Sequence, residues 1–376
     1  MKYTIRSFNE EDLNNLAKFF IKAYGSKTIF QDSIFLKWYF GFSQFEKKSF
    51  ITSLIAVDKE NEIVAHYGEL RYALILNNTP VSFAWGVNAY TLPEWRGRGI
   101  NSTFVNNMIN RHDVFGVIGF TSKTASFYRE LGFNTFENKR FNRYALNLNE
   151  KTFDIVKIIG QDFVKARSLF KPVNFEFSDG NVNVTEISRE NIDNFYLNCE
   201  YPAAAVTQRD INFLKWRFFD NPYIKYHCIA YVLANKILSY AIIRVERLHS
   251  TDFYITRIID LLGIKDYMPE VLCEVVLRAK GSGHIYIDFS SFGSAYGDVL
   301  EKHGFSFLRN EDAGLLPFVT CPVENRLNNE YIGLFSKKYK NEISRLTEKQ
   351  IFFTRTDSDR DRLNNIDQIS ERKSAQ

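Results

Sequence analysis

The chain has 376 residues, of which 45% are hydrophobic, 24% charged and 16% aromatic, and its net charge is +4. That length suits two domains and a sizeable core, while acidic residues interleaved with basic ones exclude a nucleic-acid footprint. No apolar run approaches the about 20 residues that span a bilayer, so neither a membrane nor a secreted location is expected, and the protein reads as cytoplasmic.

Residues 3–8 read as a strand. Asn9-Glu10-Glu11-Asp12 caps a helix to about residue 23, with Leu13, Leu16, Phe19, Phe20 and Tyr24 on one face. Asp32-Ser33 opens a second helix. Strands follow over 50–57, 63–70, 72–76 and 81–91, with turns at 59–62 and Asn77-Asn78. Next come a glycine- and arginine-rich loop, Glu94-Trp95-Arg96-Gly97-Arg98-Gly99-Ile100-Asn101, and a helix over 101–110. A strand (114–121), a short helix (123–131) closed by Gly132 and an extended stretch (133–148) complete the first half.

Residues 151–172 read as a connector with one helix, and strand signals resume over 173–187. The second half repeats the first in outline. Ser188-Arg189-Glu190-Asn191 opens a helix. Phe213-Leu214-Lys215-Trp216 repeats Phe35-Leu36-Lys37-Trp38. A hairpin (226–234 and 236–245), a strand (253–262), a helix (267–280) and a strand (284–289) follow. Lys302-His303-Gly304-Phe305 answers Glu130-Leu131-Gly132-Phe133. The domains expected are 1–148, a connector 149–180, a second domain 181–353 and a polar, flexible tail 354–376. Cys199, Cys228, Cys273 and Cys321 form no CxxC pair, so reduced thiols and no metal are expected.

The loop carries the chemistry. Its glycines let several N–H groups converge, the helix start adds partial positive charge, and Arg96 and Arg98 add full charge. This is a cradle for phosphate or pyrophosphate. A Walker loop would place Lys-Ser/Thr where Ile100-Asn101 stand, and a dinucleotide loop would follow the first strand of a parallel unit. The second half has Gly263-Ile264-Lys265-Asp266-Tyr267-Met268 at the same place and cannot build the cradle.

This order of elements resembles the GNAT acyltransferase family. The family's Arg/Gln-x-x-Gly-x-Gly/Ala signature maps onto Arg96, Gly99 and Asn101, with Asn101 replacing a small residue. Its later Tyr-x-x-x-Gly-Phe element matches Tyr128 through Phe133. The resemblance covers 1–148, and 180–320 as a degenerate second copy. It implies an α/β (α+β) fold of two GNAT-like domains, each a mixed, mostly antiparallel sheet flanked by helices. It also implies acyl-CoA (acetyl-CoA or a short hydroxyacyl-CoA) as co-substrate. The pyrophosphate of coenzyme A would lie on the backbone of Arg96, Gly97, Arg98, Gly99 and Ile100, next to Asn101. Val87, Asn88, Ala89 and Tyr90 would flank the thioester, with backbone groups polarising its carbonyl. Tyr128 would protonate the departing thiolate. Leu300 stands at the aligned position in the second copy. The acceptor would be a primary amine, with His66 or Glu69 as base; both also read as structural strand residues.

A Phe-Leu-x-Trp helix in each half further resembles bacterial nucleotide-sugar N-acyltransferases. This implies a nucleotide-linked (dTDP) amino-dideoxy sugar for surface polysaccharide or O-antigen, held by Arg244, Arg257, Asp260 and Asp288. An internal Arg257–Asp260 ion pair is the competing reading. Trp38 and Trp216 read as core anchors ahead of sugar platforms. Rival functions are acylation of an aminoglycoside or polyamine, acyl-CoA binding without turnover, and aminoacyl transfer from tRNA. A homo-oligomer stays open.

Overall fold

Two asparagines set the longest hairpin. Asn77 and Asn78 take φ of 48° and 64°, the left-handed pair that reverses twisted strands tightly. The computed structural model that shows this describes residues 2–41, 53–136, 141–170, 183–309, 311–321, 323–324 and 331–369. The first half runs β1 (Thr4–Ser7), α1 (Leu13–Tyr24), α2 (Ser33–Phe40), β2 (Ser53–Val57), β3 (Ile63–Leu76), β4 (Thr79–Thr91), α3 (Ile100–Met108), β5 (Val114–Phe120), α4 (Ser122–Glu130), β6 (Asn134–Phe136) and β7 (Asn142–Asn147). The connector is two helices, α5 (Thr152–Ile158) and α6 (Phe163–Leu169), parted at Gly160 with φ 68°. The strands expected over 63–70 and 72–76 are one strand, whose pairing with β4 runs unbroken through Leu70–Trp85, Arg71–Ala84 and Tyr72–Phe83.

The second half runs β8 (Val184–Ile187), β9 (Tyr196–Leu197), β10 (Ala205–Thr207), α7 (Ile211–Leu214), β11 (His227–Leu233), β12 (Lys236–Arg247), β13 (Tyr254–Gly263), α8 (Met268–Gly281), β14 (Tyr286–Phe292), α9 (Gly297–Lys302), β15 (Ser306–Leu308), a small hairpin of β16 (Val319–Thr320) and β17 (Val323–Glu324), β18 (Tyr331–Phe335), α10 (Lys340–Arg345) and β19 (Ile351–Thr354). The helix expected after Asn191 is one 3-10 turn, Ile192–Asn194. The expected strand signals at 50–52, 137–140 and 173–182 lie outside the described residues, as does 370–376.

The halves repeat one pairing scheme. Strands β1 to β4 pair antiparallel in order, then β4 pairs parallel with β5 across α3. Strands β8, β11, β12 and β13 do the same, then β13 pairs parallel with β14 across α8. Each half gives a late strand to the other. Strand β7 joins β14 and β15, while β18 joins β5 and β6. Residues 1–148 therefore do not close their own sheet. The repeated Phe-Leu-Lys-Trp segments meet across this arrangement: Trp38 Nε1 donates to the Trp216 carbonyl and Trp216 Nε1 to the Trp38 carbonyl, each at 2.8 Å. Both rings pack in the core between the halves.

The flexible tail expected from 354 is corrected. Thr356, Asp357 and Ser358 are fully buried, as are Asp361 and Leu363 to within 1%. Asp357 pairs with the buried Arg209 at 2.9 Å. Asp361 meets Arg244 at 2.8 Å and accepts from Tyr226 Oη at 2.6 Å. The segment is polar because its acids neutralise interior arginines. We therefore expect Asp357→Ala to cost about 3–5 kcal/mol in urea unfolding, the penalty for leaving a buried charge unpaired. A change within about 0.5 kcal/mol, as on an exposed tail, would contradict the placement.

Candidate active site

A gap between two parallel strands forms the centre of the site. Strands β4 and β5 pair from Phe83–Val114 to Gly86–Val117 and then part, although β4 continues to Thr91 and β5 to Phe120. The cause is a bulge. Across β3, pairing steps from His66–Tyr90 to Gly68–Val87, so β4 carries one extra residue, and Asn88 takes φ 52°. A bulge bends its strand and increases local twist.

His66 holds this bulge. Its ring is fully buried, with Nδ1 at 3.0 Å from the Asn88 carbonyl and Nε2 at 3.1 Å from Ser53 Oγ. Burial lowers its pKa to about 4, so the imidazole is neutral, donating from Nδ1 and accepting at Nε2. It packs against Phe20 and Phe40 and does not line the cleft, so its expected role as base is corrected to positioning. Glu69 is also displaced from that role. It is fully buried and meets Arg71 and His112, each at 2.8 Å, and Arg111 at 3.5 Å. Burial pulls its pKa up, but His112 and Arg71 hold it below the ordinary value, as a fixed counterion away from the cleft.

Tyr128 does reach the gap. Its hydroxyl lies 3.2 Å from that of Tyr67, which sequence reasoning missed. Burial raises both phenols above their ordinary pKa, so both stay protonated at neutral pH. Gly86 makes the room: a Cβ there would stand 2.6 Å from Tyr67 Cε1 and 2.8 Å from its hydroxyl. A glycine in an otherwise bulky strand was the available signal.

The loop lies at the mouth. Gly97 and Gly99 take φ of 75° and 76° with open space around them, so backbone conformation, not crowding, requires glycine. The Arg96 N–H is engaged by the Pro93 carbonyl at 3.3 Å, and the first bond closing α3 runs from Thr103 N to Gly99 O at 3.0 Å. Between them, the N–H groups of residues 97–102 have no acceptor among the described residues. The open backbone donors thus run from Gly97 to Ser102, and the Arg96 N–H is not among them. Arg96 donates to the Thr91 carbonyl at 3.0 Å and lies over Tyr90, while Arg98 lies over Trp95.

A cleft of 1290 Å³ holds the open ends of β4 and β5 and Tyr128, and reaches the loop at its two flanks, Arg96 and Asn101, while residues 97–100 stand outside its lining. One wall carries Val87, Asn88, Ala89, Arg96, Asn101, the open end of β5 and Tyr128. The other carries Arg244, Glu246 and Arg257 of the second sheet, Phe318 to Cys321, and Arg355, Asp359, Arg360 and Arg362 of the buried tail. Among the described lining residues, seven cations (Lys27, Arg96, Arg244, Arg257, Arg355, Arg360, Arg362) face three carboxylates (Glu246, Asp359, Asp367). Asp260 and Asp288 are not in the wall. Asp260 accepts from Arg209 at 3.0 Å, Tyr240 at 3.0 Å and Thr354 at 2.7 Å. Asp288 takes Arg257 at 2.8 Å and Arg143 at 2.8 Å; against its burial, these hold its pKa at about 2. The partner of Arg257 is therefore Asp288, with Glu246 at 3.1 Å, and not Asp260. The two expected sugar-binding carboxylates are counterions.

No protein-family model and no curated protein sequence matches the chain. Solved structures do. A conserved Enterococcus faecalis protein described as a probable N-acyltransferase aligns at TM-score 0.56 and 12% identity, over 90% of this chain and 74% of that one. A GCN5-related N-acetyltransferase from Anabaena variabilis aligns at 0.55 and 12%, over 89% and 73%. Saccharomyces cerevisiae N-myristoyltransferase, solved with bound myristoyl-CoA, aligns at 0.51 and 11%, over 93% and 85%. The chain has their fold: GNAT-like mixed sheets flanked by helices, in two copies. No helix among the described residues is long and apolar enough to cross a membrane.

The buried imidazole has a pH signature. His66 titrates at about 4 in the fold against 6.5 when free. Between those values the unfolded chain binds the extra proton, so stability falls as pH drops from 6.5 towards 4. The loss is up to about 1.4 kcal/mol per unit. Urea unfolding at stepped pH should show this slope in the native chain and its loss in His66→Gln; parallel curves would contradict a neutral, buried His66.

Proposed function

We propose that this chain transfers an acyl group from acyl-CoA to an amine. The observation that carries the reading is the convergence on one cleft of three parts: parted parallel strands, an open set of backbone donors at their mouth, and a protonated tyrosine between them. The diphosphate of coenzyme A lies on the N–H groups of Gly97 to Asn101, where helix start and backbone favour an anion. The pantetheine arm fills the gap, taking ladder groups that β4 and β5 leave unpaired. The backbone of Val87 to Ala89 polarises the thioester carbonyl. After the amine attacks, the C–S bond breaks and Tyr128 gives its proton to the thiolate, with Tyr67 orienting that hydroxyl. The bound myristoyl-CoA of the yeast enzyme, on a related fold, supports the donor.

The amine must lose a proton before it attacks. Glu246 is held by Arg244, Arg257 and Thr320, and Asp367 by Lys27 at 2.6 Å. Asp359, whose nearest cation is Arg362 at 3.5 Å, is the cleft carboxylate assigned as base. Its charge reaches Tyr24 and Tyr39, beside the α1 side of the β4 bulge. The excess of cations favours an anionic acceptor over an aminoglycoside or polyamine. A nucleotide-linked amino sugar has that charge and agrees with the paired Phe-Leu-Lys-Trp helices.

Tyr128→Phe should lower acceptor-dependent CoA release by about 100-fold or more while leaving stabilisation by acetyl-CoA intact. Unchanged turnover would remove Tyr128 from its role. Stabilisation by acetyl-CoA, with no free CoA released for any amine in a panel that includes nucleotide-linked amino sugars, would favour a non-catalytic acyl-CoA binder. Asp359→Asn should slow turnover at neutral pH and recover towards the native rate as rising pH frees the amine. A pH-independent defect would contradict its role as base.

A further inference from the structure

Arg355 is a buried cation with no hydrogen-bonded anion among the described residues, although the charges of Asp288 and Glu246 reach it. It enters the cleft wall directly after β19, only 6% exposed, with its guanidinium carbon 4.5 Å from the centre of the Phe318 ring. Its Nε and Nη2 are buried with no hydrogen-bond partner among the described residues. These two nitrogens share one edge of the guanidinium, the edge that presents two parallel N–H bonds to a carboxylate or phosphate. The nearby acids are already engaged. Glu246 accepts from Arg257 and Thr320, and Asp288 from Arg257 and Arg143. Asp361 serves Arg244 and Tyr226. Among the described residues of this cluster, four arginines (143, 244, 257, 355) thus face three carboxylates (246, 288, 361). Burial and the facing Arg257 push Arg355 down to about 9, although an arginine keeps its proton in a protein. Ser290, two residues along β14 from Asp288 and so on the same face, also has a buried hydroxyl with no partner among the described residues.

We infer that Arg355, stacked on Phe318, is the binding site for an anionic group, a carboxylate or a phosphate, carried by the acyl acceptor. The designation as acceptor rests on the acyl-CoA reading; the anion site itself does not. The site lies on the second-half wall, among residues of β12, β13 and the tail, and not on the loop that opens α3. Its two-pronged geometry selects a planar or tetrahedral oxyanion over chloride.

The test is thermal unfolding of the full chain at constant ionic strength in chloride, acetate or inorganic phosphate, with and without saturating acetyl-CoA. Relative to chloride, acetate or phosphate should raise the native midpoint by about 2–4 °C or more, and the stronger of the two identifies the oxyanion. The rise should persist with acetyl-CoA present. With acetyl-CoA occupying the loop it should vanish in Arg355→Gln, while the acetyl-CoA shift remains and the midpoint in chloride does not fall, because an unpaired buried charge has been removed. Arg355→Lys should weaken the response without restoring the fork. Equal anion responses in native and Arg355→Gln protein would overturn the inference. So would loss of the response once acetyl-CoA is bound, or failure of Arg355→Gln to fold, which would make Arg355 structural. If acetyl-CoA gives no shift while the Arg355-dependent response stands, the donor reading fails and the anion site survives.

Discussion

Everything at the centre of this molecule depends on two parallel strands that stop pairing. A parallel ladder normally continues as long as both strands run, because each unpaired N–H and C=O in the interior costs free energy. Here β4 carries an extra residue at Asn88, bends away after Gly86, and leaves polar backbone facing an open gap. The bulge is over-determined: a positive φ at Asn88, a neutral imidazole against its carbonyl, and a serine fixing the other ring nitrogen. Strained backbone persists where surrounding structure holds it this way, and such places concentrate at sites of function.

The second organising constraint is charge in the interior. Arg143, Arg209, Arg217 and Arg257 are all at most 2% exposed. Each needs acceptors where water is absent, and a buried pair is strongly destabilised when one partner is lost. Much of the compensation comes from the last part of the chain, where Asp357 and Asp361 reach back to Arg209 and Arg244. These contacts fasten the tail to the second half, while the two halves are tied by the exchanged strands β7 and β18 and by the reciprocal tryptophan bonds. The degenerate second sheet, with no glycine loop, supplies the wall opposite the parted strands.

What was legible in the sequence was local. Asn77-Asn78, the Gly97 and Gly99 turn, the repeated Phe-Leu-Lys-Trp and Tyr128 ahead of Gly132-Phe133 each state their conformation or kinship within a few residues. Strand exchange was not legible, because the extended stretch 133–148 specifies a strand but not its partner. Alternation also failed along β3, which is covered on both faces: thirteen of its fourteen residues are buried, so periodicity there says nothing of inside and outside. His66, Tyr67 and Glu69 were therefore indistinguishable by pattern, and only the third dimension assigns them to bulge, gap and ion cluster. The tail was misread because low apolar content signals disorder only when the charges have no buried partners.

The account stands or falls on what occupies the gap between β4 and β5. A crystal structure of the full chain grown with acetyl-CoA measures this directly. The account predicts the diphosphate on the N–H groups of residues 97–101, the pantetheine arm between residues 87–91 and 118–120, and the sulfur within hydrogen-bond reach of the Tyr128 hydroxyl. Acetyl-CoA bound on another face, or a gap closed by direct pairing of the two strands, would contradict it.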